Sequence, residues 1–377
     1  MRWIPKAFSR LKQSIKSIGK AVKMEIPIRT PPRSNLVGAE WTKSVHVLAR
    51  LALWVVLLTG FAIFFGGCRE EAPTKLVTVR FCTFAGASAT QLEFAKEHGI
   101  FRDSGIDLQL VYGGGSQGNV MIASGLVDAG SWGSPLLTAV IRGLKIKLIA
   151  ATSPPRNTGS ILVARPEFTR VEDLRGRTIA GSQKGNGPYQ QLMVILRAHG
   201  IKEGEFKLFL TGGTAGSAST VQLLKIGQVD AALLGGLDLS LAQAQGIAHP
   251  LDTSGKYQKR YQSSFVFAHQ NLIDKDPDAV RRLLGAWLEA RRYSAAHFDE
   301  YVAYSYKKYG KAYPPDAFRK SLLDAQKDWG DGSIDTVAVH NALRYAVEWG
   351  DYKPAEIQIP DERFFDTRFL PGGGTIR

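Results

Sequence analysis

Along residues 76–276, short apolar runs alternate with segments whose apolar positions recur every three or four residues. The first pattern fits strands of a covered sheet and the second fits amphipathic helices, so their alternation predicts an α/β layered fold. Strands are predicted at Val77–Phe84, Asp107–Tyr112, Ala129–Ser131, Lys147–Thr152, Ser160–Ala164, Thr178–Ala180, Lys207–Leu210, Ala231–Leu234 and, later, Ser264–Ala268. Helices are predicted between them at Ala87–Glu97, Gln117–Ser124, Pro135–Arg142, Pro188–His199, Thr220–Ile226 and Leu239–Ala244. Beyond Pro277 the pattern turns almost wholly helical: DAVRRLLGAWLEARRYSAAHF, then segments at Pro315–Asp328 and Thr336–Tyr345. Two runs of strand–helix units followed by a helical tail predict two lobes. No repeat of 20–50 residues and no low-complexity tract interrupts the body.

Charge changes this picture at the N-terminus. Of the net +14, residues 1–50 hold eleven Lys/Arg against two acids, Glu25 and Glu40, whereas the remaining 327 residues are nearly balanced. The basicity therefore belongs to a leader, and the body carries no nucleic-acid signature. Leu51–Gly67 (LALWVVLLTGFAIFFGG) is an uncharged run of seventeen residues between Arg50 and Cys68. A basic flank, an apolar stretch and small residues before a cysteine describe an export signal. Gly66-Gly67-Cys68 resembles the lipobox of bacterial lipoproteins, although Phe65 stands where leucine is usual. The run is also just long enough for an uncleaved anchor, and the long leader leaves Met24 as an alternative start. In either case the positive-inside rule puts the leader in the cytoplasm and the body outside. The organisation expected is a basic leader (1–50), a signal or anchor (51–67), a tether (68–76) and a folded body, held at the membrane in the periplasm or on the cell surface.

The chemistry-bearing residues are chiefly small. Gly/Ser/Thr turns stand between a strand and a helix at Phe84-Ala85-Gly86-Ala87-Ser88, Gly113–Ser116, Gly133-Ser134-Pro135, Gly185-Asn186-Gly187-Pro188-Tyr189 and Thr211–Ser217. Such loops aim backbone N–H groups at one point, where a helix N-terminus adds partial positive charge, and in open α/β sheets ligands gather at the strands' carboxyl ends. Taken singly, each is equally a tight βα turn. Nucleotide motifs (GxxxxGK[ST], GxGxxG), the nucleophile elbow GxSxG and HExxH are all absent. The seven histidines (His46, His98, His199, His249, His269, His297 and His340) are scattered, and Cys68 and Cys82 form no CxxC, so no metal, cofactor or catalytic group is expected. Cys82, inside VTVRFCTF, reads as a buried strand residue.

Several ordered segments resemble one family. VEDLRGRTIAGSQ (Val171–Gln183) is similar to the segment opening the second domain of ABC-transporter periplasmic binding proteins of the taurine/alkanesulfonate/nitrate (NMT1/THI5-like) group. FAKEHGIF (Phe94–Phe101), YGGGSQGNVMIASGLVDAGSWGSP (Tyr112–Pro135) and LLKIGQVDAALL (Leu223–Leu234) resemble further segments of that group in the same order. The resemblance runs from about Val77 to Phe298. It implies a type II periplasmic-binding-protein fold, with lobe 1 from residues 77–163 and 265–377, lobe 2 from 164–264, and crossovers at Ser160–Arg165 and Ser264–Ala268 beside Gly159. Ligand contacts are implied for Ala85, Gly86, Gly115, Ser116, Ser134, Asn186, Gly187 and Tyr189, with Phe84 and Tyr189 holding the ligand body. Gly235-Gly236-Leu237-Asp238 departs from the taurine-type pattern. Asp238 there either meets a cationic group on the ligand or, as the simpler reading, caps the helix Leu239–Ala244. The function implied is capture of a small polar, anionic or zwitterionic solute by a monomer that delivers it to an ABC permease. A sensor signalling to a membrane partner is one alternative. A pyrimidine-precursor synthesis enzyme is another, but the cysteine-rich iron-binding motif of those enzymes is missing.

Overall fold

Each apolar run in the body finds hydrogen-bonding partners in one of two sheets. A computed structural model describes residues 76–84, 86–113, 115–155, 160–184, 186–211, 218–262 and 264–371, all within the unit Thr74–Arg377. The leader, the apolar run Leu51–Gly67 and Cys68 lie outside the described residues. The first sheet contains β1 (Val77–Phe84), β2 (Ile106–Gly113), β3 (Ala129–Trp132), β4 (Ile146–Ala151) and the late strand β10 (Phe265–His269). Its order is β2-β1-β3-β10-β4, with β10 antiparallel to both neighbours. The second sheet contains β5 (Ile161–Ala164), β6 (Thr178–Gly181), β7 (Lys207–Leu210), β8 (Ala231–Leu234) and β9 (His249–Thr253), in the order β7-β6-β8-β5-β9 with β5 antiparallel.

The two orders are the same. Each sheet is a parallel trio completed by one antiparallel strand that arrives from the other side of the crossover, then an outer strand. The correspondence reaches single residues. Asp128 accepts the Arg80 amide at 2.9 Å and returns its own amide to the Arg80 carbonyl at 2.8 Å. Asp230 does the same with Thr178, at 2.9 and 2.7 Å. These carboxylates staple the same point of the two sheets, so the internal repeat is spaced by about one hundred residues and shows in backbone pairing.

Helices cover both faces of each sheet. In chain order they are α1 (Ala87–Glu97), α2 (Ile100–Asp103), α3 (Gly115–Ala123), α4 (Pro135–Ile141), α5 (Gly187–Ala198), α6 (Ala218–Lys225), α7 (Gly236–Ala244), α8 (Gln270–Lys275), α9 (Pro277–Ala296), α10 (Phe298–Tyr309), α11 (Pro315–Gln326), α12 (Thr336–Glu348) and α13 (Asp361–Phe364). The longest, α9, shows why. Asp276 caps it by accepting the Ala279 amide at 2.8 Å, and Pro277 occupies its first position, where no N–H is needed. Val280, Leu283, Leu284, Trp287 and Leu288 then recur at helical spacing and are buried against the first sheet. Arg291 continues that stripe. Buried, it lays its guanidinium on the Trp287 ring at 3.6 Å and donates to the carbonyls of Thr152 (2.7 Å) and Gly330 (2.9 Å). Burial pulls its pKa down to about 9.

Nine strands and the helices given bounds from the pattern lie where it puts them, to within about three residues, whereas α2, α8, α10 and α13 are not separately predicted. The strand not foreseen is β9, HPLDT, which has neither a long apolar run nor clean alternation. It survives as an edge strand, where Pro250 withholds an N–H that a central position would require, and the β5–β9 register shifts at Leu162/Val163 beside it. The starts of α3, α5 and α7 are earlier than the pattern suggests, so Gly115–Ser116, Gly187 and Gly236–Asp238 are helical first turns. Among the described residues no helix is long and apolar enough to cross a membrane.

Gly118 packs against Trp132 so closely that an added Cβ would fall 2.0 Å from the indole ring. Gly118→Ala is expected to destabilise the body by about 1–3 kcal/mol through overpacking, read as a lower urea midpoint with an unchanged m-value.

Candidate functional site

The parallel strands of both sheets end at the same interface. Ser134, after β3, and Gly187, after β6, stand opposite each other: a Cβ on Gly187 would lie 3.1 Å from the Ser134 hydroxyl. Two carboxyl edges with their helix N-termini therefore face one cleft, the arrangement in which loop amides can converge on a polar ligand. On one flank Gln190, from α5, donates to Asp351 beyond α12. Ser134, Thr138, Gln190, Tyr261 and Tyr352 enclose a gap of only about 10 Å³ there. On the other flank α7 packs on α11, and Tyr313 donates its hydroxyl to Asp238 at 2.9 Å.

Phe84 ends β1 with its ring stacked on Trp132, centroids 3.8 Å apart and planes 8° from parallel. The indole N–H is held by Asn119 at 2.8 Å. This pair is a flat apolar wall between the β1 and β3 loops. Gly86 follows with φ 109°, a conformation open to glycine. Gly115 and Ser116 form the first turn of α3. Asn186 precedes α5 in an extended conformation and donates to the Ser182 hydroxyl at 3.1 Å. Ala85 lies outside the described residues, as do Gly159 and the 212–217 part of the Thr211 loop.

Two residues differ from expectation. Tyr189 turns into the core of the second lobe and is buried there; burial foremost, then the nearby Glu203 carboxylate, push its hydroxyl up to about 12. It sets the first turn of α5, and its neighbour Gln190 is the one that reaches across. Asp238 does not cap Leu239–Ala244. The helix begins at Gly236, Asp238 is its third residue, and the carboxylate is buried against Tyr313. The physical reason is Gly236, whose φ of 49° lets the chain enter the helix one turn sooner.

The sequence reading missed the contribution of the helical tail. Glu93, 7% exposed on α1, accepts from Tyr112 (2.6 Å), Lys308 (3.0 Å) and Tyr309 (3.3 Å). It therefore anchors Tyr309 to α1. The Tyr-rich segment Arg291–Tyr313 was the available signal, but its spacing fits a core stripe equally well.

Cys82 is buried in β1, and burial lifts its thiol to about 11, which keeps it protonated. Among the described residues no group of three or more His, Cys, Asp or Glu could hold a metal. A wider, open hollow of about 630 Å³ lies at the opposite ends of the strands, lined by Arg165, Glu167, Phe168, Asp173, Arg177 and Asp230. Arg165 pairs with Glu167 at 2.7 Å and with Asp230 at 3.7 Å, Arg177 lies over the Phe168 ring, and Asp173 accepts the amides of Thr169 and Arg170.

The NMT1/THI5 like family model matches residues 87–301. No curated protein matches the sequence significantly. Among solved structures, the alkanesulfonate-binding protein SsuA from Xanthomonas axonopodis pv. citri, bound to MOPS, superposes with a TM-score of 0.59 at 17% identity, covering 81% of this chain and 97% of that one. The periplasmic nitrate-binding protein NrtA from Synechocystis PCC 6803 gives 0.60 at 16%, covering 78% and 87%. A cysteine-to-serine mutant of DszB in complex with biphenyl-2-sulfinic acid gives 0.54 at 21%, covering 78% and 98%. These likenesses establish the periplasmic-binding-protein fold.

Tyr309→Phe removes one of the three donors to the buried Glu93 carboxylate. It is expected to lower the stability of the body by roughly 1 kcal/mol, read as a lower urea midpoint.

Proposed function

This chain belongs to the NMT1/THI5-like family, and from that premise we propose that it is the extracytoplasmic solute-binding component of an ABC importer. The observation that carries the reading is the opposition of Ser134 and Gly187, which brings the carboxyl edges of two separate sheets to one cleft. In this reading lobe 1 comprises residues 77–163 and 265–377, and lobe 2 comprises 164–264. The ligand is a small polar solute, anionic or zwitterionic and of sulfonate, nitrate or carboxylate type. Loop amides at Ala85–Gly86, Gly115–Ser116 and Asn186–Gly187 receive its polar end together with Ser134, and the stacked Phe84–Trp132 wall receives its body. Asp238 and the first turn of α7 close the opposite side. Contacts made only when both lobes meet the ligand shift the population to the closed form. The body acts as a monomer held at the membrane by a lipid on Cys68 or by an uncleaved Leu51–Gly67 helix, and it hands its ligand to a permease.

An enzymatic reading has the fold likeness to DszB in its favour, but the buried, protonated Cys82 offers no nucleophile.

The full chain, purified in detergent, is to be tested by thermal shift against MOPS, taurine, nitrate and glycine betaine, with native mass spectrometry for co-purifying small molecules. A ligand at one hundred times its Kd stabilises the native state by about 2.7 kcal/mol, a rise of several degrees in midpoint. Gly187→Phe, which props the cleft open from the first turn of α5, is expected to abolish that rise while leaving the ligand-free midpoint within a few degrees. No shift with any probe and no bound species would argue against solute binding.

A further inference from the structure

Between α10 and α11 the chain makes a short turn, Tyr309–Tyr313, that is tied to each lobe. At its start Tyr309 donates to Glu93 of α1, the helix that follows the β1 loop of the first lobe. At its end Tyr313 donates to Asp238 in the second lobe and packs against that lobe's core. The turn is held in shape. The Tyr306 hydroxyl donates to the Tyr313 carbonyl at 3.1 Å, and Gly310 lies so close under the Tyr306 ring that a Cβ would meet it at 2.2 Å.

Asp238 is the unusual member. It is 7% exposed, and Tyr313 is its one hydrogen-bond partner among the described residues. The charged groups on the elements packed around it are engaged elsewhere or face solvent. On α11, Arg319 pairs with Asp299 at 2.7 Å and Lys320 with Asp324 at 2.8 Å. Asp316 on α11, Lys311 in the turn and Lys225 on α6 are exposed. The 212–217 segment contains no ionisable residue. Closing the lobes thus encloses a carboxylate with one neutral donor and no cation, an environment that disfavours its charge.

We propose that the Tyr309–Tyr313 turn straps the two lobes together and that lobe closure takes up a proton at Asp238, so that acidification favours the closed form. The proton comes from solvent and leaves on opening; no other bond is made or broken. The direction follows from linkage. Burial lifts Asp238 to about 6 in this closed arrangement, against about 3.9 for a hydrated aspartate. A group whose pKa is higher in the closed form stabilises that form fully below its ordinary value, and the effect is lost as pH rises through about 6. Tyr313 is a positioning residue that ties the acid to the turn; the hydrogen bond it donates favours the carboxylate and is outweighed by burial. The proposal rests on the two-lobed clamp reading.

The test needs no transported ligand. In the full chain with Cys68→Ser, spin labels at Lys145→Cys and Lys202→Cys, both exposed and on different lobes, report the interlobe distance by pulsed electron resonance; buried Cys82 stays unlabelled. Between pH 7.5 and 4.5 the closed-to-open ratio is expected to rise about tenfold or more. Asp238→Asn, a neutral isostere, is expected to sit at the acid-pH ratio throughout, and Tyr313→Phe to shift towards open at every pH. A pH-independent ratio in the otherwise unaltered chain, or an Asp238→Asn variant that keeps its pH response, overturns the proposal. If distances move with MOPS or nitrate but not with pH, proton coupling fails and the clamp stands. If they move under no condition, both fail.

Discussion

The architecture depends on two strands that each complete a sheet from across the crossover. β10 fits antiparallel between β3 and β4, and β5 fits antiparallel between β8 and β9. Without them each sheet would split and leave buried N–H and C=O groups unpaired, a cost no folded core tolerates. Because the chain must pass from the first sheet to β5 and return to β10, two segments join the lobes. The carboxyl edges of both sheets are thereby brought to face each other. Arg291 reinforces this junction, its guanidinium taking the carbonyl of Thr152 just where the chain leaves β4.

The cleft inherits its character from that geometry. Parallel strands deliver glycine-rich turns and helix N-termini to one place, and the described parts of those turns supply amides and hydroxyls in preference to charged side chains. Such a surface suits polar recognition by dipoles. The acids near it do structural work: Glu93 positions Tyr309, and Asp238 joins the lobes through Tyr313. The helical tail, remote in sequence from every ligand loop, therefore reaches both sides of the cleft.

The near-identical strand orders, and the matched staples at Asp128 and Asp230, describe two lobes that solve one packing problem twice. Their asymmetry lies in what the tail adds. The first lobe carries α9 to α12 on its sheet, and parts of that tail lean onto the second lobe through α11 and Asp351. A clamp whose latches belong to one half can close by moving the other half against them.

How much of this was legible depends on whether the determining interaction is local. The strand runs from Val77–Phe84 to Phe265–His269, the α9 stripe and the glycine turns could be read because burial of one face imposes a period on neighbouring residues. Strand β9 was not readable, since HPLDT is a strand only by virtue of the β5 edge it joins. Gly86, Ser134 and Gly187 were correctly marked as turn or first-turn residues, but their positions relative to each other are tertiary facts. Tyr189 and Asp238 show the limit most clearly. Both stand in glycine-rich turn motifs, yet Tyr189 packs into the core of its lobe and Tyr313, seventy-five residues away, captures the Asp238 carboxylate. By itself the sequence determined the layered fold, the leader's charge and the kinship of the motifs, all carried by near neighbours along the chain. Only the tertiary structure decided which polar groups face the cleft, because that choice is made by partners the chain brings together from afar.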